Sequence, residues 1–394
     1  MKKTIIFLFV ISVSILATSQ TANDKVFSAF SHYGSVFQTN GFIKGENRLD
    51  YPVKRFADIS LRYEIQTNGS ESWHALYDYP SYGFGLYLID FKDKGLLRTP
   101  FAAYAFLSVS YWQSKRFDIR GEFALGLATN WDYFSRDNIL NTAIGSPVTC
   151  YFDYGFHLYY KTNSNFDIGF GVSSTHFSNG ALRKPNRGIN VIAPRLAVKY
   201  SGFNEKGSRN AGSDLAHSKD PLPSSNSFTF VISAFGGVFG HYYRAYNYGI
   251  ADSIFQKQFL VCGLSPSVLY NFNIKHSLGI GLDVAYFDMA GKSLAIKDES
   301  IVMSDEVGFM EKLNAAVFLA YEYRMHNFAL TIEPAIYLYK YNSQTENSIY
   351  DAPAFYQRIG VRWQFSKHCF VGLKLRAYRF SIAHFIEWNV GVKL

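Results

Sequence analysis

The 394-residue chain is 18% charged, 48% hydrophobic and 18% aromatic, with 36 Phe and 29 Tyr. Intrinsic disorder needs few aromatics and a high net charge, so this composition excludes it for most of the chain. A mean hydropathy of -0.05, with no long apolar run beyond the N-terminus, excludes a polytopic bundle of membrane helices, and a mild net charge of +8 without like-charge blocks gives nucleic-acid binding little support.

Residues 1–19 read as a signal peptide. Lys2 and Lys3 precede an apolar run from Ile5 to Leu16, and Ala17 and Ser19 fit the small-x-small rule for cleavage before Gln20. No Cys follows that point, so a lipoprotein anchor is not expected, and the run is short for an uncleaved membrane helix. The mature chain is expected to be exported. Its cysteines, Cys150, Cys262 and Cys369, are odd in number and contain no CxxC, which leaves one disulfide open but suggests neither a disulfide scaffold nor a zinc site.

Apolar and polar residues then alternate with period two along the whole chain. Ile59, Leu61, Tyr63 and Ile65 oppose Ser60, Arg62, Glu64 and Gln66, and Phe117, Ile119 and Phe123 oppose Asp118, Arg120 and Glu122. Leu278 to Tyr286, Phe328 to Leu338 and Ile386 to Leu394 repeat the pattern. These are half-buried antiparallel strands, and the fold class is all-β.

The connections separate a membrane barrel from a soluble sandwich. Short ones fall near 114–116, 162–164, 272–276, 325–326 and 366–368; long ones fall near 39–52, 129–145, 179–189, 239–254, 289–308 and 341–354. Outer-membrane barrels have short turns on one side and long loops on the other, with strands of about 9–11 residues. The prediction is a transmembrane antiparallel β-barrel: roughly 14–16 strands in one barrel, or two smaller barrels joined at the polar stretch 203–226. Segment 67–81 also breaks the alternation of loop lengths. The organisation is thus 1–19 signal peptide, 20–202 first barrel half, 203–226 linker or long loop, and 227–394 C-terminal strands. The inward rows contain Arg62, Glu64, Asp118, Arg120, Glu122, Arg358, Arg362, Lys374 and Arg376, read as a solvated or mutually paired lumen.

One segment departs from the lipid-facing rule. Phe166, Ile168, Phe170 and Val172 share a face, and the same count places Ser174, His176 and Ser178 on it. Asn190 belongs to the matching face of the returning strand with Ile192, Leu196 and Val198. A hairpin centred near Lys184 sets Ser178 opposite Asn190. Polar side chains facing lipid point to function, and the alternative is a strand that has already left the hydrocarbon.

The run Thr175-His176-Phe177-Ser178-Asn179-Gly180, with Lys184-Pro185-Asn186-Arg187-Gly188-Ile189-Asn190, resembles the lipid A 3-O-deacylase (PagL) family, especially its longer members labelled acyloxyacyl hydrolases. Gln66-Thr67-Asn68-Gly69-Ser70, Trp73-His74, Tyr82-Gly83 and Ala143-Ile144-Gly145-Ser146 extend the resemblance over about residues 25–202, while 203–394 has no named match. It implies an outer-membrane barrel esterase, a hydrolase acting on lipid A of lipopolysaccharide in the outer leaflet, without metal or organic cofactor. Carried over, Ser178 is the nucleophile and His176 its general base; Asn179 and Gly180 offer N–H groups to the oxyanion, with Asn186 in support. The family's third member is a Glu that orients the His, and this chain has Asn190 there. An amide can hold a ring but supplies no negative charge, so either a slower enzyme or a carboxylate borrowed from elsewhere is expected. Arg183, Lys184 and Arg187 are either partners for lipid A phosphates or ordinary loop cations. Rival readings are a non-catalytic, porin-like or structural barrel and a phospholipase-like hydrolase. Oligomeric state is not legible.

Overall fold

The computed structural model describes residues 24–162, 165–202, 224–244, 254–297, 300–305, 307–341, 353–379 and 382–394. The expected signal peptide and most of the 203–226 stretch lie outside these residues; Ser224, Ser225 and Asn226 belong to a strand. The strands form two closed eight-stranded antiparallel barrels, the second of the two architectures read from the sequence.

The first barrel comprises β1 (Asp24–Val36), β2 (Arg55–Gln66), β3 (Ser81–Asp90), β4 (Phe101–Gln113), β5 (Phe117–Thr129), β6 (Thr149–Lys161), β7 (Phe166–Ser178) and β8 (Ile189–Tyr200). It closes where β8 returns to β1, with Phe27 opposite Tyr200 and Val36 opposite Val191. The second comprises β9 (Ser224–Arg244), β10 (Ile254–Asn273), β11 (His276–Phe287), β14 (Leu313–Met325), β15 (Phe328–Tyr339), β16 (Phe355–Gln364), β17 (Cys369–Tyr378) and β18 (Ile382–Lys393), and closes by pairing β18 with β9. A small hairpin, β12 (Lys292–Lys297) and β13 (Ser300–Asp305), stands in the β11–β14 connection.

The short β4–β5, β6–β7, β10–β11, β14–β15 and β16–β17 connections fall at one end, and the long β1–β2, β3–β4, β5–β6, β7–β8 and β11–β14 ones at the other. Two exceptions matter. The β2–β3 connection at the short-turn end carries the helix α2 (Ser72–Leu76); α1 (Gly41–Lys44) sits in the long β1–β2 loop. Within the expected loop 239–254, residues 239–244 and 254 are strand, because β9 and β10 run on as a ladder to Arg244 and Ile254, and 245–253 lie outside the described residues.

Period-two alternation sends apolar side chains outward. Leu61, Leu86, Phe156, Phe170 and Leu196 on the first barrel, and Leu264, Ile280, Leu319, Ile359 and Val390 on the second, are exposed. Toward the short-turn end the outward rows turn aromatic, with Phe27, Phe117, Tyr160 and Phe166 on one barrel and Phe228 and Phe328 on the other. A continuous apolar belt with an aromatic rim is the surface that lipid solvates.

The lumens are packed with charge pairs. In the first, Glu122 accepts from Arg62 at 2.8 Å and Arg195 at 3.1 Å, Asp153 pairs with Arg195 at 2.6 Å, and Glu64 with Lys199 at 2.9 Å. In the second, Asp283 meets Arg358 at 3.0 Å and Arg376 at 2.6 Å, and Glu333 meets Lys374 at 2.7 Å. A charge removed from bulk water is stable only when paired, so these residues meet in the lumens as mutual partners. Filled interiors are plugs, which argues against a pore in either barrel. Cys150, Cys262 and Cys369 are free, which closes the option of a disulfide among them.

Candidate active site

The long-loop end of β7 is fixed from within. Thr175 and Phe177 point into the barrel: Thr175 Oγ1 donates to Asp153 Oδ2 at 2.7 Å, and the buried Phe177 ring packs against Trp131 and Tyr151 with centroids 5.1 and 5.7 Å away. With those two side chains inside, alternation turns His176 and Ser178 to the outer face, at the long-loop end.

His176 is directly opposite Asn190 on β8, and its Nδ1 lies 2.6 Å from Asn190 Oδ1. An amide oxygen only accepts, so Nδ1 carries the hydrogen and Nε2 presents its lone pair. The expected pairing of Ser178 with Asn190 is corrected by this register. The hairpin is centred on Arg183 rather than Lys184, which slides the strands by two residues and leaves the faces unchanged. Ser178 sits one step further along the same face, opposite Cys150 of β6, and its hydroxyl makes no hydrogen bond among the described residues.

The loop after Ser178 arranges the amides. Asn179 N–H donates to Asn186 Oδ1 at 3.3 Å, while its Nδ2 donates to Ser146 Oγ at 3.0 Å and to the Arg183 carbonyl at 2.8 Å. The backbone N–H expected at the oxyanion is therefore engaged by Asn186. That bond uses the oxygen of the Asn186 amide, and its Nδ2 is buried without a partner among the described residues. A buried orphan donor beside a serine is available to an oxyanion. Gly180 follows with φ +61°.

Three supporting residues have no role on sequence reading, although Gly188 and Ser146 lie in the runs that carry the resemblance. Gly188, at φ +72°, lies under the imidazole: a Cβ there would come within 2.8 Å of His176 Cε1. Asn40, from the β1–β2 loop, donates to the Gly188 carbonyl at 3.1 Å, and Ser146 braces Asn179 from the β5–β6 loop. The 141–145 segment holds the far side, with Arg187 and Gly188 N–H groups donating to the Thr142 and Ala143 carbonyls at 3.0 and 2.9 Å.

The three loop cations divide. Arg183 and Arg187 are exposed. Lys184 turns to the second barrel, its Nζ 4.2 Å from the Phe239 ring centroid, and burial, with a smaller push from Arg187, brings its ammonium down to about 8. Asn190 is the one hydrogen-bond partner of the His176 ring among the described residues, so no carboxylate there stands in for the missing Glu.

Residues 57–199 match the family described as lipid A 3-O-deacylase (PagL), and residues 228–394 match the acyloxyacyl hydrolase C-terminal domain. The second match covers the half that has no named resemblance on sequence reading. No curated protein matches the chain. Similar solved structures include the siderophore receptor PirA from Pseudomonas aeruginosa, at 7% identity over 95% of this chain and 81% of that one, with a TM-score of 0.25. The transport unit of the autotransporter AIDA-I from Escherichia coli is 9% identical over 96% and 91%, with a TM-score of 0.22. At such scores neither informs fold or function. The two family matches span most of both barrels, and the chain belongs to the lipid A 3-O-deacylase (PagL) and acyloxyacyl hydrolase family.

Proposed function

We propose that this chain is an outer-membrane serine esterase that hydrolyses an ester-linked acyl chain of lipid A from the outer leaflet. The observation that carries the reading is the His176–Asn190 hydrogen bond on the outer face of the barrel, one step from Ser178 in a chain of this family. In this mechanism His176 Nε2 takes the Ser178 proton as Oγ attacks the ester carbonyl. Asn186 Nδ2 and the Gly180 N–H receive the oxyanion, and His176 returns the proton to the departing sugar hydroxyl. Water, activated by the same imidazole, then releases the fatty acid and restores Ser178. The acyl chain would lie along Val172 and Phe170, which are exposed on the same face below the site. Arg183 and Arg187, both exposed, would meet phosphate, while Lys184 stacks on Phe239. The test is mass spectrometry of lipid A from outer-membrane-bearing cells with and without the protein, beside purified protein given lipopolysaccharide or phospholipid. Loss of one acyl chain from lipid A alone is expected. Release from phospholipid alone would favour the phospholipase-like reading, and release from neither would favour a passive barrel.

Asn190 offers a sharper check. It orients the ring but leaves imidazolium without a counter-charge. Asn190→Ala is expected to lower kcat by about 10²-fold, while Asn190→Glu should match or exceed wild type by placing a carboxylate beside Nδ1. The measurement is fatty-acid release from lipopolysaccharide. Unchanged turnover in Asn190→Ala would remove Asn190 from the site.

A further inference from the structure

We propose that the second barrel is a positioning element for the catalytic loop of the first, holding residues 180–184 through Phe239, Gly240, Gln258 and Ile386. The inference rests on the esterase reading above and assigns that reaction a use for the C-terminal half of the chain.

The loop that follows Ser178 takes part of its support from outside its own barrel. Gly180 and Ala181 are both left-handed, at φ +61° and +64°, and an alanine stays in that region only where its surroundings over-determine it. The surroundings come from the second barrel. Gly240 N–H donates to the Ala181 carbonyl at 3.3 Å, and Gln258 Nε2 donates to the Leu182 carbonyl at 3.0 Å. Lys184 caps the Phe239 ring at 4.2 Å.

Both sides of the contact use glycine for close approach. A Cβ on Gly180 would come within 2.5 Å of the Ile386 side chain, and one on Gly240 within 2.8 Å of the Leu182 carbonyl oxygen. Leu375, the cross-strand neighbour of Ile386, backs the same spot at 3.8 Å from that Gly180 position.

The barrels are also pinned at the opposite end. Tyr77 donates its hydroxyl to the Arg324 carbonyl at 2.8 Å, Trp73 stacks on His326 at 5.2 Å, and Tyr77 meets Tyr323 edge-on at 6.4 Å. Contacts at both ends stop the second barrel from swinging, so its grip on the loop is a fixed reference for the groups on either side. Those groups are Asn179 before the grip, Gly180 at its first residue and Asn186 after it. Displacing oxyanion donors by an ångström is enough to lose much of their effect.

The experiment uses the full chain refolded in detergent, with folding checked by heat-modifiable migration. Phe239→Leu and Ile386→Ala, separately and together, remove the side-chain part of the grip; Phe239→Tyr and Ile386→Leu keep an aromatic ring and a δ-carbon there. Hydrogen exchange of the 179–188 amides and the kcat and KM for fatty-acid release from lipopolysaccharide are measured on each. In the double variant the loop amides should exchange at least about tenfold faster and kcat should fall about tenfold, with KM within about twofold. The conservative pair should behave as wild type. Unchanged exchange, or faster exchange with unchanged kcat, overturns the positioning role while the esterase reading stands. A wild-type protein that releases no acyl chain overturns the esterase reading itself.

Discussion

Ser178→Ala should abolish acyl release while leaving the barrel intact. The hydroxyl has no hydrogen-bond partner among the described residues and stands on the outer face, so its removal leaves no buried group unsatisfied. The cost to stability should stay within about 1 kcal/mol. Activity should fall by about three orders of magnitude or more, because the covalent route is lost. His176→Ala should do comparable damage, and the double variant should be little worse than either, since nucleophile and base act as a unit. Fatty-acid release by detergent-refolded protein measures the loss, with heat-modifiable gel migration reporting the fold. A folded Ser178→Ala protein with wild-type turnover would end the serine-esterase reading.

What the sequence disclosed follows from which interactions are local. The side-chain period is two wherever one face is buried, so Asp118, Arg120 and Glu122 read as inward and Phe117 and Ile119 as outward from the primary sequence, and they are. The same count placed His176, Ser178 and Asn190 on the outer face. Closure was not legible in that way. Whether β8 pairs back to β1 or onward to β9 is a contact between distant strands, and alternation is identical in both cases. The register of the β7–β8 hairpin was missed by two residues because no turn residue marks its centre; Gly180 and Ala181 absorb the chain's reversal in left-handed conformations. Asn40 and Ile386 reach the site from another loop and another barrel, and a lone Asn or Ile carries no trace of such a meeting. The Lys184 side chain likewise looked like a free cation until Phe239 stood beneath it.

The second large effect concerns the first lumen, and it separates a paired interior from a solvated one. Glu122 is the hub. Its carboxylate accepts from Arg62 at 2.8 Å, Arg195 at 3.1 Å and the Tyr159 hydroxyl at 2.9 Å, with His157 3.5 Å away. Arg195 keeps a second carboxylate in Asp153, whereas Arg62 is left with Tyr104 and the faces of Phe30 and Phe106. Glu122→Gln preserves the shape and removes the charge, so a buried guanidinium loses its counter-ion. Breaking a buried pair from one side costs about 3–5 kcal/mol, and that is the expected loss in urea unfolding of the refolded barrel. Asp90→Asn is the control. Its partner Lys92 is half exposed like Asp90 itself, and the change should cost no more than about 0.5 kcal/mol. Adding Arg62→Met to Glu122→Gln should restore more than about 1 kcal/mol, because the orphaned charge then leaves with its partner. If Glu122→Gln costs no more than Asp90→Asn, water already screens the lumen, the interior is no plug, and the case against a conducting barrel falls with it.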